Sequence, residues 1–168
     1  GMTEFDYKPC QFIRSYNPYP DIQPGEIEEA ARLINQSRKP FILAGQGVII
    51  SHAEKELSEL AEKADIPVGC TLLGLSAIPT GHPLYKGMLG MHGSIAANIK
   101  TNECDLLIAI GMRFDDRVTG DLKQYARQAK VIHIDIDPSE FNKNVKCDVS
   151  VLGDARAVLQ LSLIHISE

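Results

Sequence analysis

The residues best suited to chemistry stand together between Gly111 and Gly120, in the run Gly-Met-Arg-Phe-Asp-Asp-Arg-Val-Thr-Gly. Arg113, Asp115, Asp116 and Arg117 place two cations and two carboxylates within five residues. Such a density costs free energy unless the groups pair with one another or meet a ligand. The segment follows directly on the apolar run Asp105-Leu-Leu-Ile-Ala-Ile110. An apolar run ending in glycine reads as a buried parallel strand, which makes the charged segment the loop at its carboxyl end. Open α/β sheets bind ligands at that edge. A solvated network of surface salt bridges, beginning with Arg113 and Asp115, is the alternative.

Three further segments carry candidate groups. In His133-Ile-Asp-Ile-Asp137, strand alternation puts His133, Asp135 and Asp137 on one side, with Ile134 and Ile136 on the other. A buried strand carries polar residues in this way when they reach its carboxyl edge. Asp135 could there accept hydrogen bonds from sugar hydroxyls, whereas Asp137, before Pro138, could cap the following turn. One strand later, Gly153-Asp154-Ala155 repeats the strand-Gly-Asp pattern, and Asp154 is either a helix N-cap or a nucleoside contact. Gly90, Met91 and His92 lie in Leu-Gly-Met-His-Gly, where glycine lets the backbone approach a flat ring and Met91 and His92 could pack on it. An ordinary loop histidine is the other reading.

Gly45-Gln46-Gly47 follows a short apolar run and opens a helix, the setting in which backbone amides face a diphosphate. Position 50 is Ile, however, so the third glycine of G-x-G-x-x-G is missing. The next strand ends in Thr71 where a ribose-binding acid would stand. A plain tight turn remains open.

The elements needed to position these groups alternate along the chain. Pro24-Gly-Glu opens a helix with Ile27, Ala30, Ala31 and Ile34 on one face, broken at Lys39-Pro40. Strands are expected at 41–44, 66–71, 105–110, 131–136 and 148–152. A helix capped by Ser51 carries Leu57, Leu60, Ala61 and Ala64; a small-residue helix runs from 94 to about 101; Asp154 begins the last helix. Strands alternating with helices, without hairpin signals, predict an α/β doubly wound parallel sheet of about six strands.

At 168 residues the chain fits one domain, and a net charge of −5 argues against nucleic acid and anionic membrane as partners. The cysteines at 10, 70, 104 and 147 are too widely spaced for a CxxC metal or redox motif. Cys70 and Cys104 sit in apolar surroundings as core thiols, which suits a reducing, cytoplasmic setting. No run is long and apolar enough to span a membrane, and no signal-peptide core opens the chain. Residues 1–23 read as a linker from a preceding domain, with a cloning scar at Gly1; 24–161 read as the domain, and 162–168 as a tail for which cloning is one of the open origins. No metal-binding constellation is present.

Taken in order, Ala44-Gly-Gln-Gly47, Thr71-Leu72-Leu73-Gly74, Leu89-Gly-Met-His-Gly93, Arg113-Phe-Asp-Asp-Arg-Val-Thr-Gly120 and His133-Ile-Asp-Ile-Asp137 resemble the central, FAD-binding domain of the acetolactate synthase catalytic subunit, a thiamine-diphosphate enzyme. The resemblance runs from about residue 14 to 161. It implies a Rossmann-like fold that holds FAD through Arg14, 45–47, 71–73, 90–92, Gly111, Arg113, Asp115, Asp135, Ile136, Asp154 and Ala155. It places Asp116 and Arg117 at the mouth of the substrate channel, where sulfonylurea and imidazolinone inhibitors also bind. It further implies a parent enzyme that condenses two 2-oxo acids with thiamine diphosphate and Mg²⁺ held by neighbouring domains, a homo-oligomer of catalytic subunits, and a small regulatory subunit. FAD takes no net redox part, and this chain carries no catalytic residue of its own. The middle domain of pyruvate oxidase or glyoxylate carboligase is the nearest alternative, although the Arg-Phe-Asp-Asp-Arg loop speaks against the oxidase. A sirtuin-type NAD domain would need zinc-binding CxxC pairs that the cysteine spacing denies, and a pure interaction domain is a third possibility.

Overall fold

The computed structural model describes residues 8–9, 19–120 and 125–166, apart from the side chain of Asp116. Arg14 and Cys10 lie outside the described residues. Helix α1 (Pro24–Gln36) starts on a proline, whose missing N–H costs nothing in a first turn, and buries Ile27, Ala30, Ala31, Leu33 and Ile34. The turn into β1 (Pro40–Ala44) is fixed by Asp105, whose carboxylate accepts from the Ser37 hydroxyl and from the amides of Arg38 (2.8 Å) and Lys39 (3.0 Å). Those three donors hold the Asp105 carboxyl below its ordinary pKa, although burial pulls the other way.

A five-residue helix, α2 (Gln46–Ile50), then intervenes before α3 (Glu54–Lys63). This corrects the expected role of Ser51. Its hydroxyl donates to Gly47 O (2.7 Å) at the end of α2, and α3 begins three residues later with no side-chain cap. Strand β2 (Val68–Cys70) leads through a 3₁₀ turn (Leu72–Gly74) to β3 (Tyr85–Met88), a strand not anticipated in the glycine-rich stretch. Helix α4 (Ile95–Glu103) is capped by Ser94, which accepts from the Ala97 amide. Then follow β4 (Leu106–Ile110), the short α5 (Asp116–Thr119), β5 (Lys130–Asp135), β6 (Val149–Leu152) and α6 (Ala155–His165). Helix α6 continues past 161, and Ser162 and Ile166 are buried.

The sheet is parallel throughout in the order β3-β2-β1-β4-β5-β6. Side-chain alternation feeds two cores. Ile42, Ala44, Ile108 and Ile110 pack with α1, α3 and α6; Phe41, Leu43, Leu107 and Ala109 pack with Ala97 of α4 and with Met112 and Phe114. Both faces being covered, β1 and β4 read as unbroken apolar runs. Chain direction reverses its lateral progress at β1 and β4, which opens a crevice at their carboxyl ends.

Candidate functional site

Because every strand is parallel, every candidate segment emerges at the same edge of the sheet. Residues 45–47 follow β1, 71–73 follow β2, 90–92 follow β3, 111–117 follow β4, Asp135 ends β5 with Ile136 just beyond it, and Asp154 follows β6. Five intervals of ~4.8 Å between neighbouring strands separate the segment after β3 (90–92) from that after β6 (Asp154), roughly 24 Å in all. A ligand in touch with both ends must be extended.

At the crevice, glycine is required by backbone packing. A Cβ on Gly45 would lie 2.3 Å from Gly111 O and from Met112 Cβ, and one on Gly47 would lie 2.6 Å from Gly111 Cα. The amides are committed as well: Gly45 N donates to Ile110 O (2.9 Å) and Gly47 N to Gly111 O (2.8 Å). These two N–H groups therefore do not face a diphosphate, and the exposed Gln46 between them is the segment's outward group.

Arg113 is thrown outward by its neighbours. Met112 and Phe114 are buried in the second core, so alternation leaves Arg113 with its side chain 71% exposed. Its Nε is 3.6 Å from Asp115 Oδ2, too long for a hydrogen bond, while Asp115 Oδ1 accepts from Val118 N (3.2 Å) and starts α5. Arg117 is exposed on α5. The side chain of Asp116, its expected partner, lies outside the described residues.

Beneath Arg113 stands His133, fully buried between the edges of Phe114 and Phe141. Its Nε2 donates to Met112 O at 2.7 Å, which fixes the backbone from which Arg113 projects. Burial opposes a charge on this ring, but Asp135, the Cys147 thiol and the Met112 carbonyl outweigh it and push the pKa up to about 9. Asp135 Oδ1 accepts from Asp137 N (2.9 Å), and its Oδ2 is 3.7 Å from His133 Nε2. Asp137 caps the next turn through Ser139 N (2.9 Å). Asp154 caps α6, accepting from Arg156 N (3.1 Å) and Ala157 N (3.3 Å), and Ala155 is buried.

Apolar surface surrounds these charges. Leu72 and Leu73 are each 65% exposed on the turn after Thr71, Met91 is 80% exposed beside the exposed His92, and Ile136 is 46% exposed. A groove lined by Met91, Asn98, Arg117, Val118 and Tyr125 joins the 90–93 turn to the charged segment. Asn98 was not anticipated: a single amide on a helix of small residues gives no periodic signal, and only the fold shows that it meets the turn.

An edge that offers exposed apolar side chains, the exposed guanidinium of Arg113 and strand-end carboxylates suits an extended ligand with a flat apolar ring, an anionic centre and hydroxyls. The residues present fit a flavin dinucleotide. Comparison with known proteins identifies the family of the chain. Residues 27–161 match the family described as thiamine pyrophosphate enzyme, central domain. The chain is 55% identical over 148 residues, 88% of its length, to a probable acetolactate synthase large subunit of Methanocaldococcus jannaschii, of which this covers 25%. It is 41% identical over 174 residues, 100% of its length, to the acetolactate synthase large subunit of Cyanidium caldarium, covering 30% of it. It is 46% identical over 159 residues, 95% of its length, to an acetolactate synthase of Mycobacterium avium, covering 26% of it. The chain thus spans about a quarter to a third of the length of these relatives. With a family match over most of its residues, the chain belongs to the central-domain family of the thiamine pyrophosphate enzymes and is similar to that part of acetolactate synthase large subunits.

Proposed function

We propose that this domain holds FAD along the carboxyl edge of its sheet, within an acetolactate synthase large subunit that condenses two 2-oxo acids. The observation that carries the reading is the exposed Arg113, a cation in a long, exposed ion pair with Asp115 and flanked at the same sheet edge by the exposed Leu72, Leu73 and Met91. Arg113 would meet the anionic part of FAD, and Leu72, Leu73, Met91 and His92 would line its ring. Gln46, Asp115, Asp135 and Ile136 would contact the remainder, with Arg14 as a further contact from the linker. Thr71, Gly90 and Gly111 shape the backbone around it, and Asp154 with Ala155 would bound the far end.

Thiamine diphosphate, with Mg²⁺, supplies the electron sink for the condensation, and its binding groups belong to other domains of the subunit. FAD has no net redox part in this reading. This domain braces the substrate channel, with Arg117 facing the anionic 2-oxo acid or an inhibitor and Asp116 orienting it. The names of the relatives support a small subunit as partner, and a homo-oligomer of large subunits is part of the same proposal. The free thiols Cys70, Cys104 and Cys147 suit a reducing, cytoplasmic setting. No helix among the described residues is long and apolar enough to cross a membrane.

Titrating the flavin-free subunit with FAD tests the reading. Arg113→Ala should weaken binding by about 1.5–3 kcal/mol, the scale of a hydrogen bond to a charged group. The apo protein should lose at most ~1 kcal/mol, because the Arg113–Asp115 pair is exposed. Equal losses in apo and FAD-bound stability would make Arg113 a structural ion-pair residue and remove the reading's main support.

A further inference from the structure

We infer that Asn98 of α4 is the positioning residue of the 90–93 turn and fixes the face that this turn offers to the flavin; the inference rests on the FAD reading above. The Asn98 carboxamide engages both polar groups of one peptide residue. Gly90 N donates to Asn98 Oδ1 at 3.3 Å, and Asn98 Nδ2 donates to Gly90 O at 3.2 Å. A side-chain amide used in this way stands in for a neighbouring strand, supplying one donor and one acceptor in fixed register. Asparagine is a poor residue for a helix interior, so this pairing gives a physical reason for its presence there.

The residue it grips is the one on which the turn pivots. Gly90 has φ +111°, a region closed to side-chain-bearing residues, and a Cβ there would lie 2.8 Å from Arg117 O. Gly93 N donates back to Gly90 O at 2.9 Å, and Met91 N reaches Arg117 O at 3.4 Å. The base of the turn is anchored separately. Ser94 N donates to Met88 O (2.7 Å), and the Ser94 hydroxyl donates to Lys86 O (2.7 Å). Met91 and His92 themselves project into solvent, so their placement is set by the backbone and not by their own packing. Asn98 has firm footing, since Ala97 and Thr101 of α4 are buried against the sheet. One side chain thus ties the apolar tip of the site to a rigid helix, and through Gly90 to the carbonyl of Arg117.

The test uses the full-length subunit with Asn98→Ala and Asn98→Asp. In flavin-free protein, hydrogen exchange at Gly90 and Gly93 should quicken in Asn98→Ala while the rest of the sheet keeps its protection. Its FAD Kd should rise roughly tenfold, the scale of two lost neutral hydrogen bonds. Asn98→Asp keeps the acceptor for Gly90 N but sets a carboxylate against Gly90 O; it should also loosen the turn, and it stands in if the alanine variant does not fold. The KM for pyruvate should rise more than kcat falls in either variant. Wild-type exchange at Gly90 together with wild-type FAD affinity in Asn98→Ala would overturn the inference. So would a uniform loss of protection across the sheet, which marks a merely structural residue. A wild-type subunit that takes up no FAD would overturn instead the reading on which the inference rests, and the two failures are told apart by the Gly90 exchange.

Discussion

Gly45→Ala distinguishes two uses of the Gly45-Gln46-Gly47 segment. If its glycines exist to let a diphosphate approach, alanine should spare the apo domain and harm only binding. The structure argues otherwise. The new methyl would lie 2.3 Å from Gly111 O and from Met112 Cβ, and 2.8 Å from Met112 Cα, so a neighbouring backbone must move. Overpacking against a rigid neighbour costs ~1–3 kcal/mol, and moving this segment also strains the bond from Gly45 N to Ile110 O, worth ~1 kcal/mol. A loss of about 3 kcal/mol follows, and for a domain of this size that lowers Tm by roughly 6–12 °C. Gly25→Ala is the internal control, because a Cβ there meets nothing within 4 Å. It lies in α1, where alanine is the better helix former, so Tm should hold or rise slightly. Thermal unfolding of flavin-free protein, followed by circular dichroism, measures both. Reasoning from backbone packing would be refuted by a Gly45→Ala variant with wild-type apo Tm and lost FAD binding.

Two other outcomes follow from the site. Arg117→Ala should raise KM for pyruvate and weaken sulfonylurea inhibition while FAD stays bound; unchanged KM and inhibition would leave only a surface charge, worth ~0–1 kcal/mol. His133, with a folded pKa of about 9 against an ordinary 6.5, contributes stability that is complete below pH 6.5 and is lost as pH rises through about 9. Denaturant unfolding should show that decline in wild type and not in His133→Phe, and a wild-type stability independent of pH over the same window would refute it.

What the sequence made legible follows burial. Strands β1 and β4 stand out because both faces are covered, so every residue from Leu106 to Ile110 is buried and apolar. Strand β3 escapes notice as an edge strand: Tyr85, Lys86, Gly87 and Met88 are only half-buried, and they pair with β2 alone through a shifted register. Helix α2 is too short for a periodic signal, with Val48 as its one buried residue. The candidate residues were legible in position because a parallel sheet delivers all its carboxyl ends to one edge. Their partners were not. That Gly45 and Gly47 amides would be spent on Ile110 and Gly111, and that Asn98 would close on Gly90, depend on contacts between separate segments, which leave no local pattern.

The central claim is that this domain is the FAD-holding part of its subunit, and the absorption spectrum of the purified full-length subunit tests it most directly. The account predicts flavin bands that travel with the protein at about one FAD per subunit and that fade on dilution in the Arg113→Ala variant. A colourless subunit that gains no flavin absorbance after incubation with FAD and gel filtration would contradict it.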